Sequence, residues 1–234
     1  MIARSRLGIL GGTLDPVHNG HLVAAEAART ALALDRVVLM PSRVPPHRAS
    51  PPAASRYHRF AMAALAIQGH DGLEVSDMEL LQPGPTYTSD TLDRLHRLGV
   101  APLQIFFITG VDAFAEIETW HRYPQVLEMA NFVVIARPGH GIDELAVRLP
   151  ALRQRMMTTP APNDRVSQPS VFLVDAPTPD VSSTVIRARL AAGQSTEGLL
   201  PAAVAHYITH HHLYGIGAEE PRLITTADHL HGQD

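Results

Sequence analysis

The residues best suited to chemistry lie in one stretch near the start of the chain, residues 11–22 (GGTLDPVHNGHL). His18 and His21 are three positions apart, so they share one face if a helix begins there. Imidazole N–H groups can donate hydrogen bonds to phosphate oxygens. A helix N-terminus adds unpaired N–H donors and the positive end of a dipole. The stretch therefore predicts a phosphate-binding site.

The stretch lies between a predicted strand and a predicted helix, which is where a phosphate-binding loop is expected. Residues 7–10 form a short apolar run typical of a buried strand, and residues 23–34 are rich in alanine, which favours a helix. Gly11 and Gly12 lie between them, where the absence of a side chain lets backbone N–H groups approach a ligand closely. Neither GxGxxG nor the lysine-containing phosphate loop is present, which argues against a dehydrogenase that uses a bound dinucleotide.

Composition narrows the class of protein. The chain has 234 residues, of which 45% are hydrophobic, and this suits one large α/β domain. A net charge of -4 argues against non-specific nucleic-acid binding, which needs a basic face. Cysteine is absent, so disulfides and thiolate chemistry are excluded. We find no signal peptide and no run near the ~18 apolar residues of a membrane span. We therefore expect a cytoplasmic protein without nucleic-acid or membrane partners.

Apolar runs alternate with helical segments along the chain, and this predicts an α/β fold: a Rossmann-like, doubly wound parallel sheet with helices on both faces. We predict a single domain over residues 1–214 with a helical C-terminal end, followed by a flexible tail at residues 215–234. The predicted strands are residues 7–10, 36–40, 73–76, 103–109, 131–136 and 170–174. The predicted helices are residues 23–34, 55–68, 113–129 (broken near Pro124), 144–157, 182–192 and 201–213, with one more beginning near residues 84–92. On the helix at 55–68, the predicted core stripe is Tyr57, Phe60, Ala64 and Ile67.

The stretch at residues 11–22 closely resembles the GGTFDPxHxGH signature of nucleotidyltransferases, with Leu14 where phenylalanine is usual. Further segments occur in the order and rough spacing of bacterial nicotinate-nucleotide adenylyltransferases, and the resemblance runs from about residue 6 to Tyr214. It implies adenylyl transfer from ATP to nicotinate mononucleotide, giving nicotinate adenine dinucleotide and pyrophosphate, a step of NAD biosynthesis. These segments are residues 45–48 (PPHR), residues 86–92 (TYTSDTL), Gly110-Val111-Asp112 with Trp120, residues 182–187 (SSTVIR), and residues 204–208 with 213–214.

The resemblance also implies roles on the ATP side. His18 and His21 would hold the ATP phosphates, with His21 nearest the reacting α-phosphate, and Arg187 would receive the leaving pyrophosphate; these are the candidate catalytic residues. Mg²⁺ would be carried by phosphate oxygens and water rather than by a protein cage. The other predicted ATP-binding residues are Gly11, Gly12, Thr13, Gly110, Asp112, Ser183 and Thr184.

On the acceptor side, the resemblance implies that Trp120 stacks on the pyridine ring. Thr86 and N–H groups near Tyr87 would meet the pyridine carboxylate. Arg48 stands where lysine is common in that family, so a forked guanidinium replaces the compact charge of an ammonium group. Each side chain has a simpler alternative: Trp120 as core, Asp112 as a helix cap, Arg187 as a surface cation and Arg48 as a solvated loop charge.

Other functions remain open. A sister adenylyltransferase acting on phosphopantetheine is usually shorter and lacks the Thr86 and Trp120 regions. A nucleotide-binding regulator without catalysis is disfavoured by the intact His18, His21 and Arg187. His206 with the three histidines at 210–212 suggests a metal, but consecutive helical residues point in different directions, so we predict no shared ion there. The sequence leaves a homo-oligomer open.

Overall fold

The computed structural model describes residues 5–45, 50–136, 142–158, 167–176 and 178–215. Its seven strands are β1 (Leu7–Gly12), β2 (Arg36–Pro41), β3 (Leu73–Val75), β4 (Ile105–Gly110), β5 (Asn131–Ala136), β6 (Met156–Thr158) and β7 (Val171–Asp175). They form one sheet in the order β3-β2-β1-β4-β5-β7-β6, and every neighbouring pair is parallel. The predicted parallel sheet is therefore confirmed.

Helices cover both faces of this sheet, as predicted. The α-helices are α1 (Asn19–Ala31), α2 (Arg56–Ala66), α3 (Thr88–Arg97), α4 (Val111–Phe114), α5 (Ile142–Arg148), α6 (Ser183–Ala191) and α7 (Ala202–His210). One hydrophobic core takes its helical residues from α1, α2, α6 and α7. The other takes them from α3, α4 and α5. Within the described residues, no helix is both long and apolar enough to cross a bilayer.

Two predicted helices are wrong in extent. Residues 113–129 are not one helix, because α4 ends at Phe114 and is followed by 3₁₀ turns at Ile117–Thr119 and Gln125–Glu128. Residues 144–157 divide into α5, a 3₁₀ turn at Pro150–Arg155 and the start of β6, a strand that the sequence analysis missed. Pro150 accounts for the end of α5, because proline disfavours helix in the residue before it. Pro124 does not account for the end of α4, which lies ten positions earlier.

The predicted core stripe of α2 is wrong in part, since Ile67 packs against the core but Tyr57 does not. Tyr57 is 71% exposed, and the buried residues of the helix are Arg59, Met62, Ala63 and Ala66. The true face keeps helical spacing but includes an arginine, which a search for apolar residues passes over. Arg59 is only 1% exposed, and a buried guanidinium is tolerated only where its N–H groups find acceptors.

The sheet reverses its winding direction at β1, which lies between β2 and β4. Parallel sheets bind ligands in the crevice beyond the carboxyl ends of the strands at such a point. Gly11, near the end of β1, has close contact with β4: a Cβ atom there would lie 3.1 Å from the Phe107 ring. Glycine at this position therefore avoids a collision with the Phe107 ring.

Candidate active site

A cleft of about 300 Å³ opens at the carboxyl ends of β1 and β4. The first turns of α1 and α6 form two of its walls, so two helix N-termini converge on it. The positive dipole ends of these two helices make the cleft a natural place for phosphate. Six of the predicted ATP-side residues line it: Gly11, His18, His21, Gly110, Ser183 and Thr184.

The two histidines of the signature are in contact, as their spacing predicts. Their ring centroids are 3.8 Å apart, and His18 is the N-cap residue of α1. The backbone N–H of His18 donates to Nδ1 of His21 at 3.2 Å. Because Nδ1 accepts this bond, neutral His21 carries its hydrogen on Nε2. His21 is therefore held as an Nε2–H donor at the rim of the first helical turn.

Gly20 makes room for this pair. A Cβ atom at Gly20 would lie 3.0 Å from Nδ1 of His18 and 3.0 Å from a methyl carbon of Val181. Both distances are tighter than side-chain contacts normally are. Any larger residue would push the His18 ring or the segment before α6 out of place, so the asparagine-glycine-histidine sequence has a packing reason.

Helix α6 is hydrogen-bonded to the loop between β1 and α1, here called the signature loop. The hydroxyl of Ser182 caps the helix by accepting from the N–H of Val185 at 3.3 Å. Ser183 Oγ donates to the carbonyl of Pro16 at 2.9 Å. Arg187 donates from Nη1 to the carbonyl of Asp15 at 2.7 Å and from Nη2 to Thr184 Oγ1 at 3.3 Å. Arg187 is half-buried and lies one turn behind the cleft wall, so it is not a simple surface cation.

Asp15 anchors the loop between β1 and α1. Its carboxylate accepts from the N–H groups of Ala53 and Ala54, at 2.7 and 3.1 Å. It also accepts from the hydroxyl of Tyr214 at 2.7 Å. Burial, and next the negative charge of Asp15, raise the pKa of Tyr214, so the hydroxyl remains a donor. This carboxylate acts through structure, because all three bonds hold neighbouring backbone and the C-terminal turn in place.

Gly12 and Thr13 use their carbonyls to hold the neighbouring chain. The carbonyl of Gly12 accepts from the N–H of Ser42 at 2.8 Å. The carbonyl of Thr13 accepts from Nη1 of Arg59 at 2.7 Å. Asp112 is exposed in the first turn of α4, whose N-cap is Gly110. None of the three lines the cleft, so their contact with ATP stays a prediction.

The predicted acceptor residues lie in a second region, made of loops and 3₁₀ turns. Thr86 is fixed from both sides: its N–H donates to the carbonyl of Val44 at 3.0 Å, and its Oγ1 accepts from the N–H of Arg43 at 3.2 Å. Tyr87, the next residue, stacks on the ring of His121 with centroids 4.4 Å apart. The two predicted acceptor segments therefore meet. The remaining candidate, Arg48, lies outside the described residues.

Trp120 lies between the acceptor region and the hydrophobic core, against which it packs. It is half-buried, and its ring makes edge-to-face contacts with Phe107 at 6.0 Å and Phe132 at 6.2 Å. The next residue, His121, shares a hydrogen bond of 2.9 Å with Ser89 at the start of α3. An indole in edge-to-face contact with two phenylalanine rings is held in one orientation, which suits either stacking on a ligand or completing the core.

A buried acid, Glu79, lines a pocket next to Thr86 in the acceptor region. Glu79 is 5% exposed, and its carboxyl accepts from the hydroxyl of Thr91, on α3, at 2.7 Å. Burial raises the pKa of Glu79 to about 7, and the bond from Thr91 opposes that rise. This group titrates near neutrality without lining the cleft.

The histidines of the last helix form an exposed group. The rings of His206 and His210 stack with centroids 6.3 Å apart, and His211 lies 5.2 Å from His58 of α2. Desolvation, and then the neighbouring His210, lower the pKa of His211. Among the described residues, no group of three or more histidine, aspartate or glutamate side chains is placed to hold a metal ion.

The residues that hold the site together rather than line it were not among the predicted site residues. Arg59 and Tyr214 both bind the loop between β1 and α1 through partly buried hydrogen bonds. The one sequence signal that Arg59 is buried was its helical spacing with Met62, Ala63 and Ala66. His121 had a simpler signal, since it follows the only tryptophan of the chain.

Comparisons with known proteins agree on one family. A family model described as cytidylyltransferase-like matches residues 9–189. A probable nicotinate-nucleotide adenylyltransferase of Roseiflexus sp. (strain RS-1) is 41% identical over 210 residues, which is 89% of this chain and 97% of that protein. The corresponding probable enzyme of Pectobacterium atrosepticum is 40% identical over 214 residues, covering 90% of this chain and 99% of its own length.

A solved structure shares the fold. The nicotinic acid mononucleotide adenylyltransferase of Plasmodium falciparum, complexed with NaAD, superposes with a TM-score of 0.72. It covers 92% of this chain and 100% of its own, at 18% sequence identity. At that identity the likeness shows the doubly wound architecture alone.

Proposed function

This chain belongs to the nicotinate-nucleotide adenylyltransferase family, and we propose that its cleft transfers the adenylyl group of ATP to nicotinate mononucleotide. The observation that carries the proposal is the convergence of His18, His21 and the first turns of α1 and α6 on one cleft at the sheet's switch point. The names of the relatives supply the acceptor. Since the substrates are intracellular metabolites, we propose that the enzyme works in the cytoplasm.

The reaction needs no protein nucleophile. A phosphate oxygen of nicotinate mononucleotide attacks the α-phosphorus of ATP, and a new phosphoanhydride bond forms. The bond from the α-phosphorus to the bridging oxygen breaks, and pyrophosphate leaves with the electron pair. What the protein supplies is alignment of two phosphates and stabilisation of the charge that develops between them.

His21 is the residue we place nearest the α-phosphate. The bond from the His18 N–H fixes its tautomer, and this leaves Nε2–H as a donor toward a phosphate oxygen. Charge on the α-phosphate oxygens grows as the transition state forms, so a donor held in place beforehand stabilises that state most. His18, packed against His21, would hold the neighbouring phosphates.

The first turn of α6 is the proposed seat of the leaving pyrophosphate. Ser183 and Thr184 line the cleft, and their backbone N–H groups belong to an N-terminus that favours anions. Arg187 is bonded to Thr184 and can present charge to the same anion. Mg²⁺ would enter with ATP, because the part of the cleft lining that the structure describes includes no carboxylate and this hard cation takes phosphate and water oxygens.

The acceptor would lie beside Trp120 and Thr86. Trp120 offers a ring face held rigid by Phe107 and Phe132. The segment of Thr86 and Tyr87 contacts His121, so one wall brings together groups able to meet the pyridine and its carboxylate. A wall built in this way suits an aromatic acid better than a flexible pantetheine arm.

An acceptor panel tests the proposal. Purified enzyme is given ATP and Mg²⁺ with nicotinate mononucleotide, its amide analogue or phosphopantetheine, and released pyrophosphate is measured. We expect rapid release with the acid, slower release with the amide and none with phosphopantetheine. Turnover with phosphopantetheine alone would assign the sister activity, and ATP binding without release from any acceptor would favour a regulator.

A further inference from the structure

Arg59 occupies an unusual place for a charged residue. It lies on the inner face of α2, 1% exposed, among Met62, Ala63 and Ala66. Its guanidinium donates to four backbone carbonyls: Thr13 at 2.7 Å, Ser42 at 2.6 Å, Arg43 at 3.3 Å and Ala54 at 3.3 Å. Burial of such a group is costly, so a full set of acceptors is what allows it.

Those carbonyls belong to three separate segments. Thr13 lies in the loop between β1 and α1 that carries His18 and His21. Ser42 and Arg43 follow the end of β2, and Ala54 comes just before α2. One planar, forked side chain therefore joins the ATP-side loop to the segment after β2.

The contacts continue from that segment to the acceptor side. The N–H of Arg43 donates to Oγ1 of Thr86 at 3.2 Å, and the carbonyl of Val44 accepts from the N–H of Thr86 at 3.0 Å. The order of contacts is thus Thr13, Arg59, Arg43, Thr86. It begins beside the predicted phosphate site and ends in the predicted acceptor site.

We propose that Arg59 is a positioning residue that sets the relative placement of ATP and acceptor, an inference that rests on the proposed function. It touches neither substrate. It fixes the loop of Thr13 against the segment of Arg43, and thereby the distance between the two phosphates that must react. Such placement contributes to rate because in-line attack tolerates little error.

The test compares Arg59→Lys with the wild-type enzyme. An ammonium has one centre and cannot meet four carbonyls on three segments. We expect kcat to fall by about 10²-fold, the scale of a small misplacement of reacting groups. The affinity for ATP alone, measured by calorimetry, should change much less. In Arg59→Ala, added guanidinium should restore part of kcat, and equal sodium chloride should not.

Asn131→Ser serves as the matched control. Asn131 is also buried, and it bonds the carbonyls of Leu103 and Ile105 and the N–H of Ser170, at the opposite end of the strands. Its loss should lower the melting temperature without lowering kcat at a temperature where the variant is folded. Arg59→Lys with wild-type kcat and only a lower melting temperature would overturn the positioning role.

Thr86 provides an independent test if Arg59 variants do not fold. Thr86→Ser keeps the oxygen that accepts from Arg43, whereas Thr86→Val removes it. We expect the valine variant to lose more kcat than the serine variant, with ATP affinity unchanged in both; equal kcat in the two variants would contradict the proposal. Wild-type turnover is measured first, because its absence with nicotinate mononucleotide contradicts the proposed function instead.

Discussion

The ATP-side cleft and the acceptor region are built in different ways. The cleft is formed by the ends of regular elements: β1, β4 and the first turns of α1 and α6. The acceptor region is formed by loops and 3₁₀ turns whose side chains bond to each other, as Tyr87, Ser89 and His121 do. The shape of the cleft depends on backbone that the sheet positions. The shape of the acceptor region depends on side chains that are held by packing against each other.

This difference explains why one site is visible in a short motif. The two histidines and the glycine that makes room for them lie within four consecutive positions, residues 18–21. The acceptor region needs Arg43, Thr86 and Trp120, which are far apart in sequence. We therefore expect a change at His21 to act mainly on rate and a change at Trp120 to act mainly on binding.

The largest effect is expected at His21. His21→Ala removes the donor held at Nε2, and we expect kcat to fall by roughly 10²–10³, the scale for one preorganised donor. ATP affinity should weaken only modestly, since the interaction matters most in the transition state. Steady-state kinetics with separate calorimetry of ATP measure both quantities. His21→Asn should recover part of the rate, and a near-wild-type kcat in the alanine variant would move the role to another residue.

A smaller effect, confined to the other region, is expected at Trp120. If its ring stacks on the pyridine, Trp120→Ala should weaken acceptor binding by roughly 1–3 kcal/mol, the range for an aromatic ring stacked on a base. Binding of ATP should change much less. Titration of each substrate, with a melting curve, checks this. Equal loss for both substrates together with a large fall in melting temperature would assign Trp120 to the core.

Beneath the acceptor region, Glu79 should affect stability and its pH dependence. Its pKa is raised from 4.5 to about 7. The folded protein therefore keeps a proton that the unfolded chain releases, and stability falls as pH rises across that interval. Glu79→Gln keeps an acceptor for Thr91 without this loss. We expect it to be more stable than wild type by roughly 1–3 kcal/mol at pH 8 and nearly equal at pH 4.5. Denaturant unfolding at both pH values checks this, and an equal difference at the two would contradict it.

The smallest effect is expected from the C-terminal tail, which belongs to neither region. Residues 216–234 follow the last described turn and lack apolar periodicity. Their deletion should leave kcat and the melting temperature nearly unchanged, as assays of the full and shortened chains would show. A fall of several degrees, or the loss of a dimer in sedimentation, would mean that the tail docks.

The sequence predicted the fold better than it predicted the supports of the site. Six of the seven strands, the sheet class and the contact between His18 and His21 follow from local patterns, and the structure confirms them. Arg59 and Tyr214 could not be found in this way, because their partners are carbonyls and a carboxylate in distant segments. Segments 113–129 and 144–157 misled the helix prediction, because their buried apolar residues lie on short helices and 3₁₀ turns rather than on one helix each.

The bond from Tyr214 to Asp15 has a consequence for how the enzyme is made. Its partners are 199 positions apart, so a growing chain exposes its nucleotide signature long before the tyrosine has been synthesised. We expect chains that end at residue 212 to bind ATP and turn over poorly compared with chains that end at residue 215; equal activity would show that the tyrosine is dispensable. If Tyr214 is required, a polypeptide that is still being synthesised would not consume ATP, because the bond to Asp15 forms only after residue 214 has been added.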